Sequence, residues 1–220
     1  MSYKAEFERS INQPEDFWRE QADKLPWHKK PTQILGKDEQ GAYRWFMDGE
    51  LNISYCALDY HVENGRAEQT AVIYDSPVTK TKSKLTYREM RDQVAKFAGG
   101  LRKLGVEKGD RVVIYMPMVP EALIAMYACA RLGAIHSVVF GGFAPSELAV
   151  RIDDAQPKVI VSTSCGIEVE KVIPYKGLLD DAMDQATHKP DHCVVLQRPQ
   201  HPCELDSDRD VDWNSLMESS

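Results

Sequence analysis

Two glycines between two phenylalanines form the segment of this sequence that most directly suggests contact with a ligand. The segment comprises Phe140, Gly141, Gly142 and Phe143. It follows an apolar run and precedes Pro145, which is placed for a first helical turn. Glycines at the carboxyl end of a strand lie where open α/β sheets bind ligands, although a tight turn also explains such a pair. The spacing is not G-x-G-x-x-G, and the Lys and Ser/Thr of a P-loop are absent.

The histidines do not form a convincing metal or catalytic arrangement. His188 and His192 are four residues apart beside Cys193, but Pro190 interrupts any helix that would place both imidazoles on one face. His136 lies within an apolar run, and no acid or nucleophile stands at a meaningful spacing from it. The sequence therefore predicts neither a metal site nor a catalytic residue in this chain.

The cysteine pattern indicates reduced thiols rather than disulfides or zinc. The cysteines are odd in number, and none is spaced C-x-x-C. We therefore expect a cytoplasmic protein. The residues concerned are Cys56, Cys129, Cys165, Cys193 and Cys203.

Composition favours a globular protein that binds small molecules. The 220 residues are 43% hydrophobic, which is enough for a sizeable core in one domain or two small ones. The 27 Lys and Arg residues are outnumbered by 34 Asp and Glu residues, so no basic surface is expected for nucleic acid or anionic membranes. The N-terminus lacks the apolar core of a signal peptide, and no run reaches the roughly 20 apolar residues of a membrane span.

The elements that would position these residues are those of an α/β fold. From residue 69 onwards, the apolar runs AVIY, RVVIYM, HSVVF, KVIVSTS and HCVVLQ alternate with helical patterns. Because the runs are continuously apolar, they fit parallel strands covered on both faces by helices. The cationic TKTKSK, residues 79–84, is predicted to be a solvated turn between two strands. The fold class is therefore a parallel sheet flanked by helices.

Two of the intervening helices have readable ends or faces. Thr86 and Glu89 predict a capping box at the start of one helix, and Gly105 can close that helix in a left-handed conformation. The segment PEALIAMYACARLG is apolar almost all round and predicts a helix packed deep against a sheet.

The first 68 residues predict an irregular, partly helical extension. Pro14 can occupy the first turn of a helix through PEDFWREQADKL. A second helix is expected in ISYCALDYHVENG, where Tyr55, Leu58 and Val62 share a face and Gly65 is a plausible cap.

The stretch KGDRVVIYMPMVPEALIAMYACARLGAIHSVVFGGFAPSELAVRI, residues 108–152, resembles the acyl-CoA synthetases of the adenylate-forming superfamily. The resemblance is strongest to the acetyl- and propionyl-CoA synthetases. It extends back through LTYREM, FWREQADKLPWHKKP and RWFMDGELNISYCALDYHVENG. It implies an N-terminal extension over residues 1–68 and the first part of the AMP-binding domain over residues 69–220. The segment CGIEVEKVIPYKGLLDDAM is similar to the propionyl rather than the acetyl enzymes.

The resemblance implies an AMP-forming acid–thiol ligase. Such an enzyme makes propionyl-CoA from propionate, ATP and CoA through an acyl adenylate, releases AMP and pyrophosphate, and uses Mg²⁺. The family's phosphate loop, Y-T-S-G-[ST]-T-G-x-P-K-G, does not occur in this sequence. We therefore expect an N-terminal fragment that is inactive without the remainder of its own chain. The alternatives are an acetyl-CoA synthetase and a free-standing, non-catalytic binding module of the same fold.

The resemblance also assigns candidate CoA contacts. The glycine pair and its phenylalanines would line the passage for the pantetheine arm, because the missing Cβ atoms would leave room for a thin chain. The family's Arg-x-x-Arg pair falls on a segment in which Lys171 is the one remaining cation and Glu168 would repel a phosphate. The candidate residues are Phe140, Gly141, Gly142, Phe143, Glu168, Val169, Glu170 and Lys171.

Overall fold

The structure is a computed structural model that describes residues 2–220. Its α-helices are α1 (Tyr3–Asn12), α2 (Pro14–Ala22), α3 (Tyr87–Lys103), α4 (Pro120–Leu132), α5 (Pro145–Ala155), α6 (Tyr175–Gln185) and α7 (Trp213–Glu218). Its strands are β1 (Leu35–Lys37), β2 (Tyr43–Trp45), β3 (Thr70–Ser76), β4 (Thr81–Thr86), β5 (Arg111–Tyr115), β6 (Ile135–Val138), β7 (Val159–Thr163), β8 (Gly166–Glu168), β9 (Lys171–Ile173), β10 (His192–Leu196) and β11 (Asp210–Asp212).

A five-stranded parallel sheet forms the centre of the fold. Its strand order is β11-β10-β7-β5-β6, and every neighbouring pair is parallel. Helices α3, α4 and α7 cover one face, and α5 and α6 cover the other. The predicted α/β class with a flanked parallel sheet is confirmed. Because the strands are parallel, the loops that follow β5, β6, β7 and β10 meet at the same edge of the sheet.

Side chains of the central strands alternate between two hydrophobic cores. On the α3 face, Phe97 stacks on Trp213 with ring centroids 3.9 Å apart. On the opposite face, Leu148 of α5 and Leu179 of α6 are fully buried beside Tyr115 of β5. Both faces of the three inner strands are therefore buried, which explains why their sequences are continuously apolar.

Two of the apolar runs differ from the predicted arrangement. AVIY forms part of β3, but β3 pairs antiparallel with β4 in a separate two-stranded sheet, and Ile73 is 70% exposed. The prediction of a turn over residues 79–84 was wrong for residues 81–84, because these belong to β4. The run HSVVF forms β6 at the edge of the central sheet, where Ile135 and Val138 are more than half exposed. A short apolar run shows that a strand forms but not which strand will pair with it.

The predicted helix ends are confirmed. Thr86 and Glu89 form the capping box at the start of α3, and Gly105 has a φ of 81° just beyond its end. Pro14 opens α2. The helix expected through ISYCALDYHVENG forms with wider π-helical turns over Tyr55–Asp59, and the backbone leaves the helical conformation at Asn64 and Gly65, where Gly65 has a φ of 83°.

Polar contacts attach the N-terminal segment to the end of α4. The side-chain amide of Asn52 donates to the carbonyls of Ala130 and Arg131, at 3.0 and 3.2 Å. The Arg131 guanidinium donates to both carboxylate oxygens of Asp59, at 2.7 and 2.9 Å. Leu58 is 3% exposed and packs in the same core as α3. The boundary between residues 68 and 69 stays a prediction.

Within residues 2–220, none of the helices combines the length and the apolar character needed to span a lipid bilayer.

Candidate functional site

A cavity of about 490 Å³ lies at the carboxyl edge of the central sheet. The loops after β5, β6, β7 and β10 contribute to its wall, together with the turn between β3 and β4. Open α/β sheets bind ligands at this edge, so we prefer this cavity to a larger one of about 820 Å³ beside Trp27 and Lys108. The lining residues are Asp75, Ser76, Pro77, Val78, Thr79, Pro117, Met118, Phe140, Gly141, Gly142, Ile167, Glu168, Ile173, Tyr175 and Arg198.

The glycine pair lies in a turn whose carbonyl groups are contacted by the side chain of Tyr115. The N–H of Phe143 donates to the carbonyl of Phe140 at 3.1 Å. The hydroxyl of Tyr115, at the end of β5, lies 3.3 Å from the carbonyl oxygen of Gly141 and 3.2 Å from that of Phe143. Burial raises the pKa of Tyr115 to about 12, so this hydroxyl remains a donor at neutral pH.

Aromatic rings explain the two glycines. A Cβ on Gly141 would overlap the hydroxyl oxygen of Tyr175 and lie 2.8 Å from its Cζ. A Cβ on Gly142 would lie 2.5 Å from Cε1 of Phe140, whose side chain is exposed and free to move. Neither glycine has a positive φ. At Gly141 the missing Cβ leaves room for the ring of Tyr175. That the glycine pair lines a ligand passage stays a prediction.

Tyr175 is the residue around which this side of the cavity is built. Its ring stacks on Tyr115 with centroids 4.9 Å apart and is only 6% exposed. Gly141 lies on one side of it and Gly166 on another, and a Cβ at either position would overlap the ring. Burial raises the pKa of Tyr175, whereas the nearby guanidinium of Arg198 opposes this rise. Tyr175 was not predicted as a site residue from the sequence. The signal that could have indicated a large side chain nearby is the pair of glycines that make room for its ring, Gly141 and Gly166.

The remaining candidate residues lie at the β8–β9 hairpin or under the loop. In the hairpin, Glu168 and Lys171 stand opposite each other in the antiparallel register of β8 and β9, and both side chains are exposed. Glu168 lines the cavity, whereas Val169, Glu170 and Lys171 do not. Phe143 packs towards the core, with the guanidinium carbon of Arg151 4.2 Å from its ring centroid.

The cavity wall thus brings together four of the residues proposed from the sequence. These are Phe140, Gly141, Gly142 and Glu168. Whether any of the candidate residues contacts CoA stays a prediction.

Val169 has a backbone conformation that suits glycine better than valine. Its φ is 56° at the exposed hairpin tip, and left-handed backbone costs a branched residue about 1 kcal/mol or more. We expect Val169→Gly to raise the free energy of unfolding by about 1 kcal/mol in urea denaturation. Val172→Gly is the matched control: it removes a side chain from regular strand and should lower stability by roughly 0.5–1 kcal/mol. A loss of stability in Val169→Gly would contradict the assignment.

An ion network anchors the start of α6, directly after Tyr175. The Lys176 ammonium lies 2.6 Å from an Asp180 oxygen and 3.0 Å from an Asp210 oxygen. Arg209 contacts the same two carboxylates, at 2.6 and 2.8 Å. The Asp210 side chain is fully buried, and its charge is compensated within a network of two cations and two carboxylates. The network joins α6 to β11 and thereby holds Tyr175 in the cavity wall.

The lining of the cavity at the carboxyl edge includes no histidine and no cysteine. Nε2 of His188 is 2.8 Å from the Pro157 carbonyl oxygen, and His136 lies exposed on the edge strand β6. Burial raises the pKa of the Cys129 and Cys193 thiols to about 12, so neither is a thiolate at neutral pH. Across the described residues, no group of three or more His, Cys, Asp or Glu side chains is placed to hold a metal ion.

Comparison with known proteins identifies the fold and the family. The family described as AMP-binding enzyme matches residues 58–217, and the acetyl-coenzyme A synthetase N-terminus matches residues 3–57. The chain is 49% identical to the mitochondrial acyl-CoA synthetase short-chain family member 3 of Rattus norvegicus over 98% of its length and 32% of that protein. It is 47% identical to the propionate–CoA ligase of Escherichia coli over 98% of its length and 34% of that protein.

A solved structure shows the same fold at lower sequence identity. The acetoacetyl-CoA synthetase from Streptomyces lividans superposes with a TM-score of 0.86 at 23% identity, covering 99% of this chain and 33% of that one. The chain spans about a third of the length of the curated relatives that it matches. The parallel sheet and the match over residues 58–217 lead to one conclusion: the chain belongs to the family of AMP-binding enzymes, with the fold of the acyl-CoA synthetases.

Proposed function

We propose that this chain is the N-terminal portion of an ATP-dependent short-chain acyl-CoA synthetase that forms propionyl-CoA. Propionate and ATP would give an acyl adenylate and pyrophosphate, and the thiol of CoA would then displace AMP. Mg²⁺ would accompany ATP, because negative charge develops on phosphate oxygens in both steps. The similarity to the E. coli propionate–CoA ligase over 98% of this chain supports the choice of propionate. We also propose a cytoplasmic location and no nucleic-acid or membrane partner.

The cavity at the carboxyl edge of the sheet is the observation that carries this proposal. Its rim presents apolar side chains to solvent, with Met118 92% and Phe140 71% exposed. Exposed apolar side chains around a concave site are typical of ligand-binding surfaces. A thin chain with methylene groups and amides, such as pantetheine, fits a wall of this kind between Phe140 and the β8–β9 hairpin.

The reaction can be tested in two halves on the complete enzyme that contains this sequence. Propionate-dependent exchange of pyrophosphate into ATP measures adenylate formation, and propionyl-CoA production measures the second step. We expect kcat/KM to be higher with propionate than with acetate. A preference for acetate would make the protein an acetyl-CoA synthetase. If neither carboxylate supports pyrophosphate exchange, the proposed reaction is contradicted, and the non-catalytic binding module is the interpretation that remains.

Gly142 is the position at which a ligand passage can be separated from the fold. In the complete enzyme, we expect Gly142→Val to leave pyrophosphate exchange unchanged and to lower propionyl-CoA formation about tenfold, because the added methyl groups would project towards the cavity beside the exposed Phe140 ring. Gly177→Ala on α6 is the control, since a Cβ there meets nothing within 4 Å. An equal fall in both half-reactions would mean that Gly142 serves the fold alone.

A further inference from the structure

Arg198 is a buried cation without a counter-charge in the described part of the chain. It follows β10 and is 9% exposed. Its Nη1 donates to the carbonyl of Cys165 at 3.0 Å, and its backbone N–H donates to Oγ of Ser164 at 2.8 Å. Within residues 2–220, no carboxylate lies within 4.0 Å of its guanidinium. Buried arginines are normally paired with an anion, because a charge removed from water needs compensation. The remaining N–H donors of Arg198 are therefore available to an external anion.

Thr79 supplies an unpartnered polar group in the cavity lining that it shares with Arg198. Its Oγ1 is buried and has no hydrogen-bond partner. Thr79 lies in the turn between β3 and β4, and it lines the same two adjoining cavities as Arg198, of about 490 and 300 Å³. Ser76, in the same turn, also lines the larger cavity. Arg198 and two hydroxyl-bearing residues from a distant part of the chain thus line the same cavity.

We propose that Arg198 and Thr79 form a binding subsite for a phosphoryl group. A phosphoryl group has three terminal oxygens, so it can accept hydrogen bonds from the guanidinium and from hydroxyl groups at the same time. A carboxylate, with two oxygens, would use only part of this donor set. The planar fork of arginine suits bidentate binding of phosphate, which a lysine cannot reproduce.

The carboxylates around the cavities leave this subsite open to an anion. Asp75 is paired with Lys82 at 2.8 Å. Glu168 is exposed on the hairpin, and Glu121 lines only the smaller cavity. None of the three is close enough to Arg198 to form an ion pair. Repulsion from Glu168 at the rim favours a phosphoryl group that lies deeper, at Arg198.

The source of the phosphoryl group follows from the proposed function and rests on it. In that function the phosphorylated substrates are CoA and ATP, and pyrophosphate is a product. The donor set itself does not depend on that function. Three probes distinguish the sources: CoA, inorganic pyrophosphate, and pantetheine, which carries no phosphate.

Isothermal titration calorimetry of the complete enzyme with these probes tests the subsite. We expect Arg198→Gln to weaken binding of a phosphorylated probe about tenfold and Thr79→Val to weaken it about threefold, as expected for loss of a charged and a neutral hydrogen bond. Pantetheine binding should not change in either variant. Arg44→Gln is the control, because Arg44 is exposed on β2 and pairs with Asp38 away from the cavity.

The outcomes separate this inference from the proposed function. If Arg198→Gln loses affinity for CoA but not for pyrophosphate, the subsite binds a phosphoryl group of CoA. If it loses affinity for pyrophosphate but not for CoA, the subsite binds a group derived from ATP. If Arg198→Gln does not fold, the affinity of Thr79→Val for the phosphorylated probes tests the subsite instead. Unchanged affinity for both phosphorylated probes in a folded variant, with propionyl-CoA still formed, overturns the subsite and leaves the function standing. Arg198-dependent pyrophosphate binding without carboxylate-dependent exchange would instead overturn the function.

Discussion

Replacement of Lys176 by methionine is expected to lower the free energy of unfolding by about 3 kcal/mol at neutral pH. The methionine retains most of the apolar stem but leaves the buried carboxylate of Asp210 with Arg209 as its single cation. Removing one partner from a buried ion network costs about 3–5 kcal/mol, because the remaining charge lacks both solvent and compensation. We expect the lower end of this range because Arg209 still contacts Asp210 at 2.8 Å.

The pH dependence of stability gives an independent signature of this network. Burial alone would raise the pKa of Asp210, but hydrogen bonds from Arg209, from the Asp206 backbone and from Lys176 hold that pKa below its ordinary value. A carboxylate with a depressed native pKa contributes stability above its unfolded pKa, about 4, and loses it as pH falls through the native pKa. We therefore expect the difference in stability between wild type and Lys176→Met to narrow below about pH 4.

Urea denaturation at pH 7 and at several acidic values would measure both effects. Lys82→Met is the matched control, because Lys82 pairs with Asp75 on the surface, where their side chains are 79% and 54% exposed. That variant should lose less than about 1 kcal/mol at any pH. Equal losses in the two variants would show that the Lys176 network contributes no more than a surface pair.

Gly166→Ala should lower the free energy of unfolding by about 2–3 kcal/mol, although alanine is ordinarily well tolerated in a buried strand. The added Cβ would overlap Cε1 of Tyr175 and lie 2.7 Å from its Cζ. Tyr175 cannot move away easily, because its ring is stacked on Tyr115 and is closed in by Gly141. Overpacking of this kind typically costs about 1–3 kcal/mol.

A double-mutant cycle would attribute this cost to the tyrosine ring. In a Tyr175→Leu background the atoms that the new Cβ overlaps are gone, so Gly166→Ala should cost at least about 1 kcal/mol less than in the wild type. Gly177→Ala in α6 should be neutral or stabilising by up to about 1 kcal/mol, because a Cβ there meets no atom. An unchanged cost in the Tyr175→Leu background would mean that Gly166 is needed for another reason.

Part of the candidate site could be predicted from the sequence, because its position in an α/β fold follows from the order of the elements. The loop at Gly141 and Gly142 comes after an apolar run and before a helix, which places it at the carboxyl edge of a parallel sheet. The reason for Gly141 could not be predicted, because it is the ring of Tyr175, 34 residues away along the chain. Arg198 was missed for a similar reason: its lack of a counter-charge is visible only when its neighbours in space are known.

The sequence by itself determined the α/β class, the ends of α3 and the family. The fold class and the helix ends depend on short-range order: the period of apolar residues distinguishes strand from helix, and the capping box of Thr86 and Glu89 satisfies donors within one turn. The family rests instead on the resemblance of the long stretch over residues 108–152. Only the tertiary structure decided that β3 pairs antiparallel with β4, and that Tyr175, Arg198 and Thr79 share a cavity. The strand β4 is polar and mostly exposed, so its sequence shows no apolar strand pattern. The cavity residues come from segments that meet only after long crossovers, so a local pattern does not identify them as neighbours.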